Sequence, residues 1–92
     1  MTTPSNEQSS EGLVERVRRC RSYSNKLDIE IDIALFKPDS EYVSVRQNAA
    51  GTKLVYRLAD GSTRTHWAED HTLNQESVER AIRLLTALKD AS

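Results

Sequence analysis

Six residues near the middle of the chain carry side chains that could bind an anion. They lie between positions 42 and 66, where polar and apolar residues alternate. Arginine suits this chemistry because its planar guanidinium group forms two parallel hydrogen bonds with a carboxylate or a phosphate. Arginine and tyrosine are also enriched at the energetic centres of interfaces. We predict that one partner-binding surface contains Tyr42, Arg46, Lys53, Arg57, Arg64 and His66.

A group of potential metal ligands overlaps the end of this stretch and continues beyond it. Its members are His66, Glu69, Asp70 and His71. Their spacing matches neither the His-Glu-x-x-His helix motif nor a closed zinc pattern. We therefore interpret both histidines as surface residues and predict no metal site.

Three further carboxylates, Asp28, Glu30 and Asp32, lie in the apolar segment 27–36. On a β-strand they would line one face and could bind a hard cation such as magnesium, whereas on a helix Asp28 and Asp32 share a face and Glu30 points away. Cys20 falls on the apolar side of the first predicted helix, so we interpret it as a buried, inert thiol. The sequence contains no nucleophile–base pair, glycine-rich phosphate loop or Cys-x-x-Cys motif. We therefore expect neither a cofactor nor enzymatic activity.

A β-sheet must position the six anion-binding residues. Residues 42–67 divide into three short strands, YVSVRQ, TKLVYRL and TRTHW, separated by NAAG and ADGS. Asp60-Gly61 is a strong signal for a two-residue hairpin loop, and in that register Arg57 lies opposite Arg64. A four-residue loop at NAAG gives a compatible register for the first pair of strands. The sheet then has one apolar face and one basic face, and the six residues share the basic one.

Three segments flank the predicted sheet. Helices are predicted over residues 9–21 and 74–88, and the apolar residues of the second form a narrow stripe. The apolar residues of segment 27–36 alternate as on a strand, but some of them also follow helical spacing: Leu27, Ile31, Ala34 and Leu35. The residue pattern alone leaves both alternatives open.

Two of these segments resemble a known family. One has the pattern Asn25-Lys-Leu-Asp-x-x-Ile-x-x-Ala-Leu35, and the other reads Ser77-Val-Glu-Arg-Ala-Ile-Arg-Leu84. Both are similar to helices of the small phage "ABA sandwich" domain family, although isoleucines and carboxylates stand here where that family favours alanine. The resemblance favours a helix for 27–36 and implies a phage or prophage origin and a compact mixed α/β module. It brings no catalytic residues.

We therefore expect a disordered tail at residues 1–8 and a single α+β domain over residues 9–92, with the order α-α-β-β-β-α. The alternative is a fourth strand at 27–36. The exposed edge of the first strand, which has one charge and no proline, predicts a homodimer. The expected core consists of Leu13, Val17, Ile31, Leu35, Val43, Val45, Leu54, Tyr56, Leu58, Val78, Ile82 and Leu85.

The composition limits the function of this domain. Thirteen basic and fourteen acidic residues give a net charge of -1, whereas nucleic-acid-binding domains are usually strongly basic. The single cysteine suits a reducing cytoplasm, and we expect no membrane segment and no signal peptide. We expect a non-enzymatic phage or prophage accessory protein in the bacterial cytoplasm that binds an acidic protein surface, such as an anti-CRISPR-like inhibitor of a host defence complex. The alternatives are binding of a phosphorylated or nucleotide ligand and binding of RNA or DNA.

Overall fold

The computed structural model describes the backbone of residues 8–91 and the side chains of residues 12–88. Over this range it has the predicted α+β order α-α-β-β-β-α. The elements are α1 (Gln8–Arg19), α2 (Asn25–Leu35), β1 (Tyr42–Gln47), β2 (Leu54–Leu58), β3 (Thr63–His66) and α3 (Gln75–Ala91). The predicted tail falls outside the described residues except for Gln8, where α1 begins. None of the described helices is both long enough and apolar enough to cross a membrane.

Segment 27–36, whose residues fit both a strand pattern and a helix pattern, lies almost entirely in helix α2. Ser24 caps its N-terminus, because the Ser24 hydroxyl accepts a hydrogen bond of 3.2 Å from the Leu27 N–H. Leu27 and Ile31 pack against α1 and α3, whereas Ile29 packs against the sheet. The apolar residues of α2 therefore alternate as on a strand because a helix that is buried on two sides needs apolar residues on both.

Two hydrophobic clusters meet at α2. The first joins the three helices and contains Leu13, Val17, Leu27, Ile31, Val78, Ala81 and Leu85. The second joins α2 to the sheet and contains Ile29, Leu54 and Ala68, with Ile33, Val45 and Tyr56 packed against them. The predicted core residues are buried or partly buried with one exception, Val43, which is 41% exposed.

The pairing of β2 with β3 differs by one residue from the prediction. The Leu58 N–H donates to the Ser62 carbonyl at 2.8 Å, and the Gly61 N–H donates to the Leu58 carbonyl at 3.0 Å. The loop therefore has three residues instead of two, and Gly61 supplies the positive φ of 93° that this loop needs. Arg57 consequently lies opposite Thr63. A one-residue shift moves every side chain of β3 to the other face of the sheet, so the predicted register was wrong.

The edge strand β1 contains an irregularity near Val43. A loop at NAAG would place Val45 opposite Leu54, but Val45 pairs with Tyr56 instead. Because the two partners are two residues apart on β2, Val45 keeps its predicted face. The register then shifts at Val43, and Tyr42 pairs with Leu58 on the side facing α2. A β-bulge of this kind adds one residue to one strand and reverses the faces beyond it. This explains why Val43 is exposed and Tyr42 partly buried.

Candidate anion-binding face

The side of the sheet that faces away from α2 is the outer sheet face. The strand pairing places three rows of side chains on it. They belong to Ser44, Arg46, Lys53, Val55, Arg57, Thr63, Thr65 and Trp67. Apart from Lys53 and Val55, which are partly buried, these residues are exposed. These eight described side chains thus supply three cations, three hydroxyls and an indole, and none of them is a carboxylate.

The three cations of the outer sheet face are Arg46, Lys53 and Arg57. Within the side chains that the structure describes, no carboxylate lies within 4 Å of their charged groups. Their charges are therefore available to an anionic partner. Exposed charges of this kind are screened over about 10 Å at 0.1 M salt, so binding to them must depend on ionic strength.

Trp67 lies beside these cations and is 65% exposed. The Lys53 ammonium nitrogen lies 4.7 Å from the centre of the indole ring. At that distance the ring quadrupole attracts the cation, which orients the indole on the outer sheet face. A large exposed aromatic ring next to several cations is a combination typical of interface centres.

The other three predicted site residues, Tyr42, Arg64 and His66, lie on the opposite face of the sheet. The Tyr42 and Tyr56 rings are 5.5 Å apart between centroids, and those of Tyr56 and His66 are 5.7 Å apart. The three rings line an open depression of about 310 Å³, and Arg64 pairs with Tyr56 across the strands. The single basic surface expected from the sequence is therefore divided between two faces, because the loop length and the bulge each reverse part of the alternation.

A buried hydrogen-bond network ties the connector between β3 and α3 to α2. The Thr72 hydroxyl donates to Asp28 Oδ1 at 2.9 Å, and the Ser24 N–H donates to the Thr72 hydroxyl at 2.8 Å. Asp28 is completely buried, and its Oδ2 has no hydrogen-bond partner among the described residues. Burial raises the pKa of Asp28 above its ordinary value, although the hydrogen bond from Thr72 acts in the opposite direction.

One turn further along α2, Asp32 holds the same connector. His71 Nε2 lies 2.6 Å from Asp32 Oδ1, and the Glu69 N–H donates to Asp32 Oδ2 at 2.9 Å. Burial alone would lower the pKa of His71, but the hydrogen bond to Asp32 and the charges of Asp32, Glu69 and Asp28 raise it above its ordinary value. His71 is only 5% exposed, so its interpretation as a surface residue was wrong. The sequence could not show that Asp32 provides a partner for it inside the fold.

The remaining sequence candidates lie apart from the outer sheet face. Glu30 points away from Asp28 and Asp32, as expected for a helix, and binds Arg16 with an Nη1–Oε2 distance of 3.0 Å. Cys20 is partly buried and packs against the helical cluster, in agreement with its predicted apolar position.

Comparisons with family models, with curated proteins and with solved structures find no match to this chain. Its function is therefore inferred from its own residues.

Trp67 was not among the site residues predicted from the sequence. The two-residue loop placed Trp67 on the apolar face opposite Leu54, whereas the structure places His66 opposite Leu54. The Ala59-Asp60-Gly61 segment also suits a three-residue loop with glycine last, which is another common hairpin connection. Testing that loop against the pattern would have placed Trp67 beside the cations.

Proposed function

We propose that this protein acts by binding an acidic surface of a partner protein through the outer sheet face, without catalysis of its own. The observation that carries this proposal is the grouping of Arg46, Lys53 and Arg57 with Trp67, where no carboxylate of the described side chains lies within 4 Å of the three cationic groups. Arginine and tryptophan are the residue types that most often dominate the free energy of protein–protein binding. The cations supply charge complementarity, and the indole supplies apolar contact area.

The shape of the outer sheet face favours a protein partner over a small ligand. Small-molecule sites are concave and surround most of the ligand, whereas this is one open face of a three-stranded sheet. Strands of four to six residues span roughly 13–20 Å, and three of them span about 10 Å between the outer strand axes. This area is smaller than the roughly 800 Å² that each partner buries in a standard interface, so we expect weak, salt-sensitive binding or contacts that extend beyond the sheet.

Nucleic acid fits the outer sheet face less well than an acidic protein does. Proteins that bind single strands stack successive bases on several aromatic rings, but among the described residues Trp67 is the only aromatic one that the strand pairing places on this face. The net charge of -1 also gives little long-range attraction for a polyanion.

The biological setting is part of the same proposal. The resemblance of α2 and α3 to phage domain helices suggests a phage or prophage accessory protein in the bacterial cytoplasm. An acidic component of a host defence complex is then the first partner to test, and the protein would act as an anti-CRISPR-like inhibitor that blocks it.

Fluorescence of Trp67, the single tryptophan, provides a direct assay. An acidic peptide such as polyglutamate should change the emission of Trp67, and the change should weaken as salt is raised. The double variant Arg46→Glu/Arg57→Glu should abolish this binding. The matched control Arg80→Glu/Arg83→Glu makes the same change in net charge at two exposed positions of α3 and should bind as the wild type does.

Two outcomes would contradict the proposal. Equal loss of binding in both double variants would show that net charge matters and the outer sheet face does not. Tighter binding of a single-stranded oligonucleotide than of the acidic peptide, lost in the Arg46→Glu/Arg57→Glu variant, would identify nucleic acid as the partner class.

A second candidate function is binding of a nucleotide or another phosphorylated ligand in the depression on the opposite face. The rings of Tyr42, Tyr56 and His66 could stack with a base there. Burial raises the pKa of Tyr56, and the charges of Asp32 and Glu69 raise it further. Those same charges would repel a phosphate. We therefore rank it second. Saturable ATP binding that is lost in Tyr42→Ala and kept in Arg46→Glu/Arg57→Glu would favour it.

A further inference from the structure

Asp32, Glu69 and His71 form a carboxylate–histidine cluster at the junction of α2 and the connector that follows β3. Each side chain offers one ligand atom, and these atoms all lie within 4.8 Å of one another. His71 Nε2 is 2.6 Å from Asp32 Oδ1 and 3.9 Å from Glu69 Oε1. We propose that this cluster binds a divalent transition-metal cation such as zinc. This inference does not depend on the function proposed for the outer sheet face.

Two of the distances within the cluster are within about 0.7 Å of those that a bound ion requires. Zinc lies about 2.0–2.2 Å from its nitrogen and oxygen ligands, so ligand atoms in a tetrahedral site are roughly 3.3 Å apart. The separation of His71 Nε2 from Asp32 Oδ1 must increase by about 0.7 Å, and its separation from Glu69 Oε1 must decrease by about 0.6 Å. Glu69 can make this movement because its side chain is 79% exposed.

Backbone hydrogen bonds already hold the connector and α2 together around Asp32 and His71, the two ligands with little freedom to move. The Glu69 N–H donates to Asp32 Oδ2, and the His71 N–H donates to the Glu69 carbonyl at 2.9 Å. These bonds hold the connector against α2 and point the buried imidazole at the Asp32 carboxylate. Asp32 Oδ1 and His71 Nε2 are thus preorganised, and Glu69 completes the site from the solvent side.

The charge balance around the cluster also favours a cation. Asp32 and Glu69 bring two negative charges. Asp28 adds a third carboxylate, which is buried and whose Oδ2 has no partner among the described residues. Within the part of the chain that the structure describes, no lysine or arginine forms a salt bridge with any of the three. The imidazole can supply at most one positive charge, whereas a divalent ion with neutral His71 would balance Asp32 and Glu69.

The donor types indicate the class of metal. One imidazole nitrogen with two carboxylate oxygens suits zinc, manganese and related transition metals, whereas magnesium and calcium prefer oxygen ligands throughout. Three protein ligands leave at least one position for water. The sequence predicted no metal site, because the spacing of Glu69 and His71 matches no known motif and nothing in the sequence places Asp32 beside them.

Calorimetric titration of the metal-free protein with zinc tests this proposal. We expect one zinc per chain and no measurable binding of magnesium. Glu69→Gln should weaken zinc binding by about tenfold or more, since loss of even an outer-shell partner commonly costs roughly 10–100-fold. The control Asp70→Asn removes the neighbouring exposed carboxylate, which is not in the cluster, and should bind zinc as the wild type does.

The two histidines provide a second matched pair. His71→Gln should abolish zinc binding and the visible absorption bands of bound cobalt, whereas His66→Gln should retain both. If His71→Gln does not fold, Glu69→Gln still decides, because it changes only an exposed side chain and keeps the backbone hydrogen bonds of residue 69. Zinc affinity of Glu69→Gln within about twofold of the wild type, or equal loss in the two histidine variants, would overturn the proposal.

Discussion

The hydroxyl of Thr72 lies 2.9 Å from Oδ1 of Asp28, and both side chains are buried. The two residues are 44 positions apart in the sequence. Their hydrogen bond fastens the connector after β3 to the first turn of α2. It also gives the buried carboxylate of Asp28 a side-chain donor, which offsets part of the cost of removing that group from water.

Replacement of Thr72 by valine should therefore destabilise the fold. The change keeps the shape of the side chain but removes the donor to Asp28 and the acceptor for the Ser24 N–H. Leaving buried polar groups unsatisfied costs about 1–3 kcal/mol each, and we expect a loss in that range or above in the free energy of unfolding. The control Thr65→Val changes an exposed residue of β3 and should stay within about 0.5 kcal/mol of the wild type. Urea denaturation measures the free energy of unfolding of both variants. An unchanged value for Thr72→Val would contradict the role assigned to the bond between Thr72 and Asp28.

Leu85 and Leu84 test the packing of α3. Leu85 is 6% exposed within the cluster of three helices, whereas its neighbour Leu84 is 45% exposed. Leu85→Ala should lower the free energy of unfolding by about 2–5 kcal/mol, because it removes buried apolar area and leaves a cavity. Leu84→Ala should have a much smaller effect. Similar melting temperatures of the two variants would show that α3 does not pack through the face described above.

Protonation of His71 should contribute to stability. Its pKa is raised in the folded state, so the contribution is fully present below its ordinary pKa of 6.5 and is lost as the pH rises through the folded-state pKa. The groups that act on it are Asp32, Glu69 and Asp28. We therefore expect the contribution of His71 to the free energy of unfolding to decrease as the pH rises above 6.5.

The measurement uses urea denaturation in buffer with a metal chelator, so that no bound cation competes with the proton. His71→Gln should lose most of this pH dependence, and His66→Gln should keep it, since His66 is exposed on the sheet. An unchanged pH dependence in His71→Gln would assign the effect to other groups.

The homodimer stays a prediction, and β1 is the element that would form it. β1 is an edge strand of the sheet, and Val43 is exposed at its bulge. Pairing of two β1 strands would satisfy their unpaired backbone groups and cover Val43. Sedimentation should then give a dimer for the wild type and a monomer for Val43→Lys. A wild-type protein that sediments as a 10.4 kDa monomer at high concentration would contradict it.

Some of the structure is determined by short stretches of sequence. The apolar stripe of α3 was predicted, as was its start near Asn74, whose side chain caps the helix by accepting a hydrogen bond from the Ser77 N–H at 2.8 Å. The positions of the two hairpins were also predicted, since glycines with positive φ, Gly51 and Gly61, mark both. These features depend on residues within one turn of each other, and so local propensity decides them.

The composition of the outer sheet face depended on a choice that the sequence left open. Loops of two and of three residues at Asp60-Gly61 are both common, but they place Trp67 on opposite faces. Tertiary packing decided between them, because the three-residue loop brings Ala68 to the side of the sheet that faces α2, where it packs with Ile29 and Leu54.

The tertiary structure alone also decided that segment 27–36 is a helix and that Asp32 is the partner of His71. Alternating isoleucines suit a strand or a helix buried on two sides, and the difference depends on what packs against each side. Asp32 and His71 are 39 positions apart, and nothing in the local pattern of either residue indicates the other. Their contact exists because α2 lies between the helical cluster and the sheet, where the connector after β3 must cross it and the buried polar groups must find partners.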